Sequence, residues 1–286
     1  MRRRRLAEEL TRLREDHGFS ADKLAEVTGL SRQRVSRLVN CRVRPNLDEV
    51  MRVLGQFQLS SERWQQIMAI ARDAQERGWW ERHAREMGLR QALYADLECG
   101  AAQISEYQLT FLPGLLQIPS FTQARIQADR SIYQATFDED RMLEARGTRQ
   151  LLLQQPGGPA YEVVIDEVAV RRLAAPVQVV AAQLDHLVEL GHSQDRVSIR
   201  VLPTSAFIDG HAVPRSAFSI YRYPDPGDPV VVAVDTATSD LVLTDTGEVT
   251  PYVTLYSRMR DAALPPSDSL DFLAELAQGL PHEIGD

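Results

Sequence analysis

Side chains that can bond to nucleic-acid bases cluster between residues 31 and 37. The segment reads Ser-Arg-Gln-Arg-Val-Ser-Arg. Val35 and Leu38 lie three residues apart, which predicts the buried stripe of a helix with Arg32, Gln33 and Arg37 facing outward. In a DNA major groove, arginine can form two hydrogen bonds to guanine, and glutamine two to adenine. The spacing therefore predicts a helix whose exposed face can read base edges.

A second short helix is predicted just before this one. Leu24, Ala25 and Val27 supply its apolar positions, and Ser20 stands at its N-cap. A tight turn at 28–30 follows, and Ser31 is placed to cap the next helix. Two short helices joined by such a turn are typical of a helix-turn-helix with the recognition helix second.

Several of these residues occur in the register of a known family. The motif resembles the phage-repressor-like regulators of the Cro/C1, or XRE, class over roughly residues 5–59. The resemblance rests on Leu24-Ala25, Gly29, Ser31, Val35-Ser36-Arg37 and Pro45. It implies a lambda-repressor-like, all-α bundle that binds operator DNA as a dimer.

The predicted DNA-binding residues lie on the second motif helix and just after it. Base reading is assigned to Arg32, Gln33 and Arg37, and phosphate contact to Arg42 and Arg44. The full predicted set is Ser31, Arg32, Gln33, Arg34, Ser36, Arg37, Arg42 and Arg44. The alternative is an ordinary helical hairpin with a solvated polar face.

Charge is distributed unevenly along the 286 residues, whose net charge is −8. Residues 1–45 contain twelve basic and six acidic residues, whereas the remainder contains 20 basic and 34 acidic ones. We call the N-terminal domain that contains the basic segment the head, and the rest of the chain the body. This distribution favours a head that meets phosphate and a body that does not.

Further helices are predicted on both sides of the motif. Leu6, Leu10 and Leu13 repeat at helical spacing before Gly18, and Asn46 caps a helix carrying Val50, Val53 and Leu54. A fifth helix is predicted over 62–77. The four arginines at 2–5 fit either a flexible arm that reaches DNA or the start of the first helix.

Composition argues against several other classes of protein. Cys41 and Cys99 are far apart and lie in no Cys/His cluster, so neither a disulfide framework nor a metal site is expected. No run reaches the ~18 apolar residues of a membrane span, and no apolar stretch follows the N-terminal arginines as in a secretory signal. We expect a cytoplasmic protein without a cofactor.

A second resemblance covers residues 78–263. It rests on Gly78-Trp79-Trp80, Glu98, Ala101, Pro113-Gly114-Leu115-Leu116-Gln117, Arg149-Gln150, Asp166-Glu167, Gln183-Leu184 and Val201-Leu202-Pro203. These residues resemble the domain of unknown function that follows the helix-turn-helix in many actinobacterial (Streptomyces-like) regulators. The resemblance implies a regulatory context and, as a possible partner, a small acidic protein encoded nearby.

The periodicity of the body predicts an α+β fold. Tyr94, Leu97, Ala101, Ile104 and Tyr107 are spaced as in one helix. Strands are predicted at 161–165, 197–201, 217–223, 230–235 and 240–243, with helices at 177–190 and 250–260. We therefore expect an all-α DNA-binding head at 1–77, an α+β domain with a mixed sheet at 78–263, and a helical tail at 264–286.

Three places in the body contain polar residues that could do chemistry. Asp209-Gly210-His211 could form an acid–base pair near Asp166-Glu167, but these are also ordinary turn residues. Glu98 and Glu106, eight apart on the predicted helix, could hold a cationic ligand or form a structural ion pair with Arg149. The loop at 113–117 is interpreted as a packed hinge rather than a binding loop.

No catalytic signature is found, and the chain is expected not to be an enzyme. The leading interpretation is a dimeric, sequence-specific transcription regulator whose body senses a small-molecule effector or binds a small protein. The alternative is an antitoxin-like component of a two-protein system that autoregulates its operon. A third hypothesis is an enzyme fused to a DNA-binding head.

Overall fold

The computed structural model describes residues 2–39, 44–75, 78, 80, 88–133, 138–236 and 240–281. It divides into two compact units, Met1–Trp79 and Trp80–Asp286. The basic segment of the head, residues 1–45, lies in the first unit, and each unit is described by itself below.

The first unit is all-α over its described residues. Its helices are α1 (Arg2–Asp16), α2 (Ala21–Thr28), α3 (Arg32–Val39), α4 (Leu47–Leu54) and α5 (Ser61–Gln75). Each contributes an apolar stripe to one core, in which Leu10, Leu24, Val35, Val50 and Ile67 are all completely buried. The helical patterns expected from the sequence are thereby confirmed.

One core position of the motif differs from the sequence prediction. Val27 is exposed, and the next residue, Thr28, is buried in its place. A hydroxyl can be buried there because Thr28 Oγ1 donates to the Leu24 carbonyl oxygen at 2.6 Å, inside the same helix. The prediction that Val27 is a core residue was wrong by one position.

The second unit combines helices with a sheet. Its helices are α6 (Leu89–Glu98), α7 (Pro119–Tyr133), α8 (Glu139–Gln154), α9 (Glu167–Arg171), α10 (Val177–Ser193), α11 (Thr246–Ala262) and α12 (Pro266–Gln278). Its strands are β1 (Gln103–Gln108), β2 (Ala160–Asp166), β3 (Val197–Leu202), β4 (Phe218–Arg222), β5 (Val231–Val234) and β6 (Leu241–Leu243).

The strands form one mixed six-stranded sheet in the order β3-β2-β1-β4-β5-β6. β1, β2 and β3 are parallel, as helical crossovers require, and β4, β5 and β6 add antiparallel to the β1 side. The expected fold class, an all-α head followed by an α+β domain with a mixed sheet, is confirmed.

The two faces of this sheet have different chemistry. On one face Tyr107, Val164, Phe218 and other apolar residues pack against Val249, Tyr256 and Met259 on α11. On the opposite face Glu106 of β1 is buried beside Val163 and Ser219, its partners on the neighbouring strands. This second face therefore places a carboxyl group inside the body.

The helix predicted through residue 107 is wrong beyond Glu98. α6 ends at Glu98, Gly100 turns the chain at a φ of 78°, and Ile104 and Tyr107 lie on β1. β1 lies inside the sheet between β2 and β4 and is buried on both faces, so it lacks the apolar–polar alternation of a half-buried strand. Glu98 and Glu106 consequently do not share a helix face.

Within the expected C-terminal tail, Pro266–Gln278 forms α12, which packs against α10 and β3, and residues 282–286 lie outside the described residues. Leu273 is completely buried, and a Cβ built on Gly191 of α10 would lie 2.6 Å from Leu270 Cδ2. Ser269 Oγ accepts from the Val201 backbone N–H at 3.0 Å, which satisfies a donor on the outer edge of β3. This arrangement covers one edge of the sheet. None of the helices formed by described residues is long and apolar enough to cross a membrane.

Candidate DNA-binding interface

The turn between α2 and α3 is built from local hydrogen bonds. Ser20 Oγ accepts from the Lys23 backbone N–H at 3.1 Å and caps α2, as predicted. Gly29 ends α2 with φ 68°, a left-handed conformation that glycine adopts without steric cost. Ser31 Oγ accepts from the Arg34 backbone N–H at 3.2 Å, so α3 begins with the predicted cap.

Two buried side chains anchor α3 to the core of the first unit. Val35 is completely buried and Leu38 is 3% exposed, three residues apart on one stripe. The opposite side of the helix is thereby directed to solvent. Arg32, Gln33 and Arg37 are exposed there, Ser36 is partly exposed, and these four residues line one open depression. The structure thus brings together the predicted base-reading residues, whose contact with bases stays a prediction.

Arg32 forms an ion pair that DNA could replace. Its Nε lies 2.9 Å from Asp22 Oδ1 on α2, and the two side chains are 76% and 64% exposed. Exposed pairs of this kind contribute at most about 1 kcal/mol. Arg32 can therefore exchange this carboxylate for a base edge or a phosphate at little cost.

Arg34 is held more firmly than its neighbours. Its Nε donates to Glu49 Oε1 on α4 at 2.7 Å, and the glutamate side chain is only 14% exposed. The pair joins α3 to α4 and orients α3. Glu49 was missed by sequence reasoning, because a contact across fifteen residues has no local pattern.

The two residues assigned to phosphate lie after α3. Arg44 donates from Nε to the Gln75 carbonyl oxygen at 2.5 Å, and Gln75 is the last residue of α5. Arg44 therefore satisfies one of the carbonyl groups that a helix C-terminus leaves unpaired. Its role at phosphate stays a prediction. Arg42 and Cys41 lie outside the described residues.

The arginines at 2–5 form the first turn of α1. The structure therefore favours the start of a helix over a flexible arm for this segment. Their positive charge stays in the same unit as α3.

In the body, the Asp209-Gly210-His211 segment is a short 3₁₀ turn at the surface. Both Asp209 and His211 are exposed, and the nearest ionic contact of Asp209 is Arg258 Nε at 3.7 Å. Asp166 instead caps α9 and accepts from Tyr107 Oη at 3.0 Å. The structure gives each of these side chains the contacts of ordinary turn or cap residues.

Glu98 forms the predicted structural ion pair. Arg149 Nε donates to Glu98 Oε2 at 2.9 Å, and both side chains are buried. Glu106, which was expected to share this site, instead accepts from Tyr161 Oη at 2.6 Å and from Gln108 Nε2 at 2.7 Å. Burial raises the pKa of Glu106 to about 7, although both hydrogen bonds favour the charged form.

The loop at 113–117 is packed, as expected. Leu115 and Leu116 are buried, and glutamine side chains hold the backbone. Gln150 Nε2 donates to the Gln117 carbonyl oxygen at 2.6 Å, and Gln183 Nε2 to that of Leu116 at 2.8 Å. Within the described ranges, no three His, Cys, Asp or Glu side chains come together as a metal site.

Comparison with known proteins identifies both parts of the chain. A family described as "Helix-turn-helix domain" matches residues 5–63, which contain α2 and α3. A family described as "Domain of unknown function (DUF5753)" matches residues 91–275, more than half of the chain. Neither the curated proteins nor the solved structures contain a match. The resemblance to helix-turn-helix regulators with such a C-terminal domain is confirmed, and the chain belongs to the DUF5753 family, with a helix-turn-helix domain at its N-terminal end.

Proposed function

We propose that the protein is a sequence-specific transcriptional regulator that binds operator DNA as a homodimer and catalyses no reaction. The observation that carries this proposal is the outer surface of α3, where Arg32, Gln33 and Arg37 lie together on a helix anchored by its opposite side. Its place of action is the cytoplasm, where the operator DNA lies.

Base reading is assigned to the N-terminal half of α3. Arg32 and Gln33 occupy its first two positions, which in helix-turn-helix proteins lie closest to the base edges. The guanidinium suits guanine O6 and N7, and the glutamine amide suits adenine N6 and N7. Arg37, one turn further along, extends the same surface.

Affinity is assigned to charge rather than to base contacts. Residues 1–45 carry six more basic than acidic residues, so counterion release favours binding of this segment to phosphate. The remainder carries fourteen more acidic than basic residues and repels phosphate. The difference directs DNA to the head.

Dimerisation follows from the small size of the reading element. α3 has eight residues and is about 12 Å long, so one copy contacts only a few base pairs. Two heads related by a two-fold axis would read half-sites about 34 Å apart. The body is assigned the role of sensing a small-molecule effector or binding a small acidic protein.

The test is selection of bound duplexes from a random DNA library by the full chain, followed by footprinting of the selected sequence. We expect an inverted repeat whose halves are protected one helical turn apart. Selection without enrichment of any sequence would contradict sequence-specific binding. A single protected half-site, with a monomer on DNA by light scattering, would contradict only the dimer.

A further inference from the structure

Charge is not balanced around the loop that follows β1. Arg146 on α8 lies against this loop, close to two ion pairs that other arginines form. Arg149 is paired with Glu98, and Arg125 Nη2 lies 3.1 Å from Asp129 Oδ1. Among the described residues, no carboxylate lies within ion-pair distance of the third arginine, Arg146. Glu98 and Asp129 also act on Arg146 through space, but each forms its ion pair with another arginine.

Arg146 is held in place by a neutral group. Its Nη1 donates to Gln117 Oε1, and a Cβ built on Gly114 would lie 3.8 Å from its Cζ, so the guanidinium lies against the loop. Its Nε is buried and has no hydrogen-bond partner among the described residues. Burial, helped by the nearby charge of Arg149, lowers the pKa of Arg146 to about 10. At neutral pH the group still carries its charge.

The buried Nε–H of Arg146 lacks an acceptor among the described residues, although the residue as a whole is partly exposed. A buried donor without a hydrogen bond is unfavourable, and more so when the group is charged. Gln117 provides one acceptor and no charge. An anionic group that reached Arg146 would supply both a negative charge and an acceptor for Nε.

The position of Arg146 also suits a ligand. The loop leaves the carboxyl end of β1, the edge of an open α/β sheet at which ligands bind. Gln117 Oε1 also accepts from Thr122 Oγ1 at 3.2 Å, so only one side chain separates Arg146 from the first turn of α7. The N-terminus of that helix adds positive potential. Arg146 as a whole is partly exposed, so solvent reaches the residue.

We propose that Arg146, positioned by Gln117 at the carboxyl end of β1, is the recognition residue of a binding site for an oxyanion, a carboxylate or phosphate group of a small ligand. For the proposed function, the site implies an effector that carries a carboxylate or phosphate group. Only this statement about the effector depends on the protein being a regulator. Anion binding by the body can be measured without DNA.

The experiment is thermal melting of the full chain titrated with inorganic phosphate or acetate, with sodium chloride holding ionic strength constant. A ligand that binds only the folded state raises the melting temperature in a saturable manner. Arg146→Gln removes the charge and shortens the side chain, and should weaken anion binding by about tenfold or more. Arg141→Gln is the matched control, because Arg141 is an exposed arginine on the same helix.

The site is supported if an anion stabilises wild type and Arg141→Gln saturably but does not stabilise Arg146→Gln. The anion that binds with the higher affinity then shows whether the site prefers phosphate or carboxylate. If Arg146→Gln does not fold, the same titration is made with Arg146→Lys. Lysine keeps the charge but lacks the planar fork and the Nε donor, so binding should again weaken about tenfold. The proposal is overturned if neither anion stabilises wild type beyond chloride, or if the folded Arg146 variants bind as tightly as wild type.

Discussion

Replacing Glu106 by glutamine should remove a pH dependence from the stability of the body. The carboxyl group is buried in the central strand, and burial raises its pKa to about 7. Glutamine has nearly the same shape and does not titrate. Its oxygen can accept from Tyr161 Oη, and its NH2 group can donate to Gln108 Oε1 once the Gln108 amide has turned over.

The size of the effect follows from linkage. The unfolded chain loses the Glu106 proton near pH 4.5, whereas the folded protein keeps it until about pH 7. Between these values the folded state binds more protons, so stability falls as pH rises and becomes level above about pH 7. The gap between the two pKa values corresponds to about 3 kcal/mol. Glu106→Gln should therefore gain about 3 kcal/mol relative to wild type between about pH 4 and about pH 8.

Hydrogen exchange of the β1 amides is the suitable assay, because it reports the unfolding free energy of the body separately from the head. Comparing variant with wild type at each pH cancels the groups that the two share. Tyr161→Phe is the matched variant. It removes a hydrogen bond that favours the charged carboxylate, so the decline should extend to higher pH. A difference between Glu106→Gln and wild type that stays constant over this pH range would refute the reasoning.

Three further predictions concern glycines and phosphate contact. In urea unfolding, Gly191→Ala should lower the free energy of unfolding by about 1 kcal/mol, because crowding against buried Leu270 exceeds the gain in helix propensity. Gly147→Ala has open space at its Cβ and should raise the free energy of unfolding by up to about 1 kcal/mol. Gly29→Ala should cost about 1–2 kcal/mol because alanine must adopt a φ of 68°; an unchanged urea midpoint would contradict this. Arg42→Ala should weaken binding to all DNA sequences alike and reduce the salt slope by about 1, and an unchanged slope would exclude Arg42 from the phosphate contacts.

The helix-turn-helix could be predicted because its signals are local. Ser20, Gly29 and Ser31 act within three residues of their own positions in the chain. Val35 and Leu38 show the helical period directly. Caps, turns and periodicity of this kind depend on neighbouring residues, so one sequence suffices to locate them.

The central strand could not be recognised in this way. Glu106 and Gln108 are polar residues inside the sheet, and their presence breaks the pattern of an apolar buried strand. Hydrogen bonds permit their burial: Tyr161 Oη, 55 residues away, donates to Glu106, and Gln108 Nε2 donates to Glu106 as well. The apolar residues Ile104 and Tyr107 continue the helical spacing of α6, and this spacing led to the prediction of a helix instead of a strand.

Long-range pairs set the roles of individual arginines in the same way. Arg34 is paired with Glu49, Arg44 with the end of α5, and Arg149 with Glu98. Arg146 resembles the other arginines in the sequence, and only the fold shows that its buried Nε has no acceptor among the described residues. The residue type predicts that an arginine can bind an anion. The fold determines which arginines are already paired within the protein.

The most direct test of DNA reading by α3 is the ratio of affinities for the selected operator and for a scrambled duplex, measured at one salt concentration. Gln33→Ala should reduce this discrimination by about 1–3 kcal/mol and relax preference at one base pair. Gln65→Ala, at an exposed glutamine of α5, is the matched control and should keep the wild-type ratio. Full discrimination in Gln33→Ala would contradict the assignment of α3 as the reading helix.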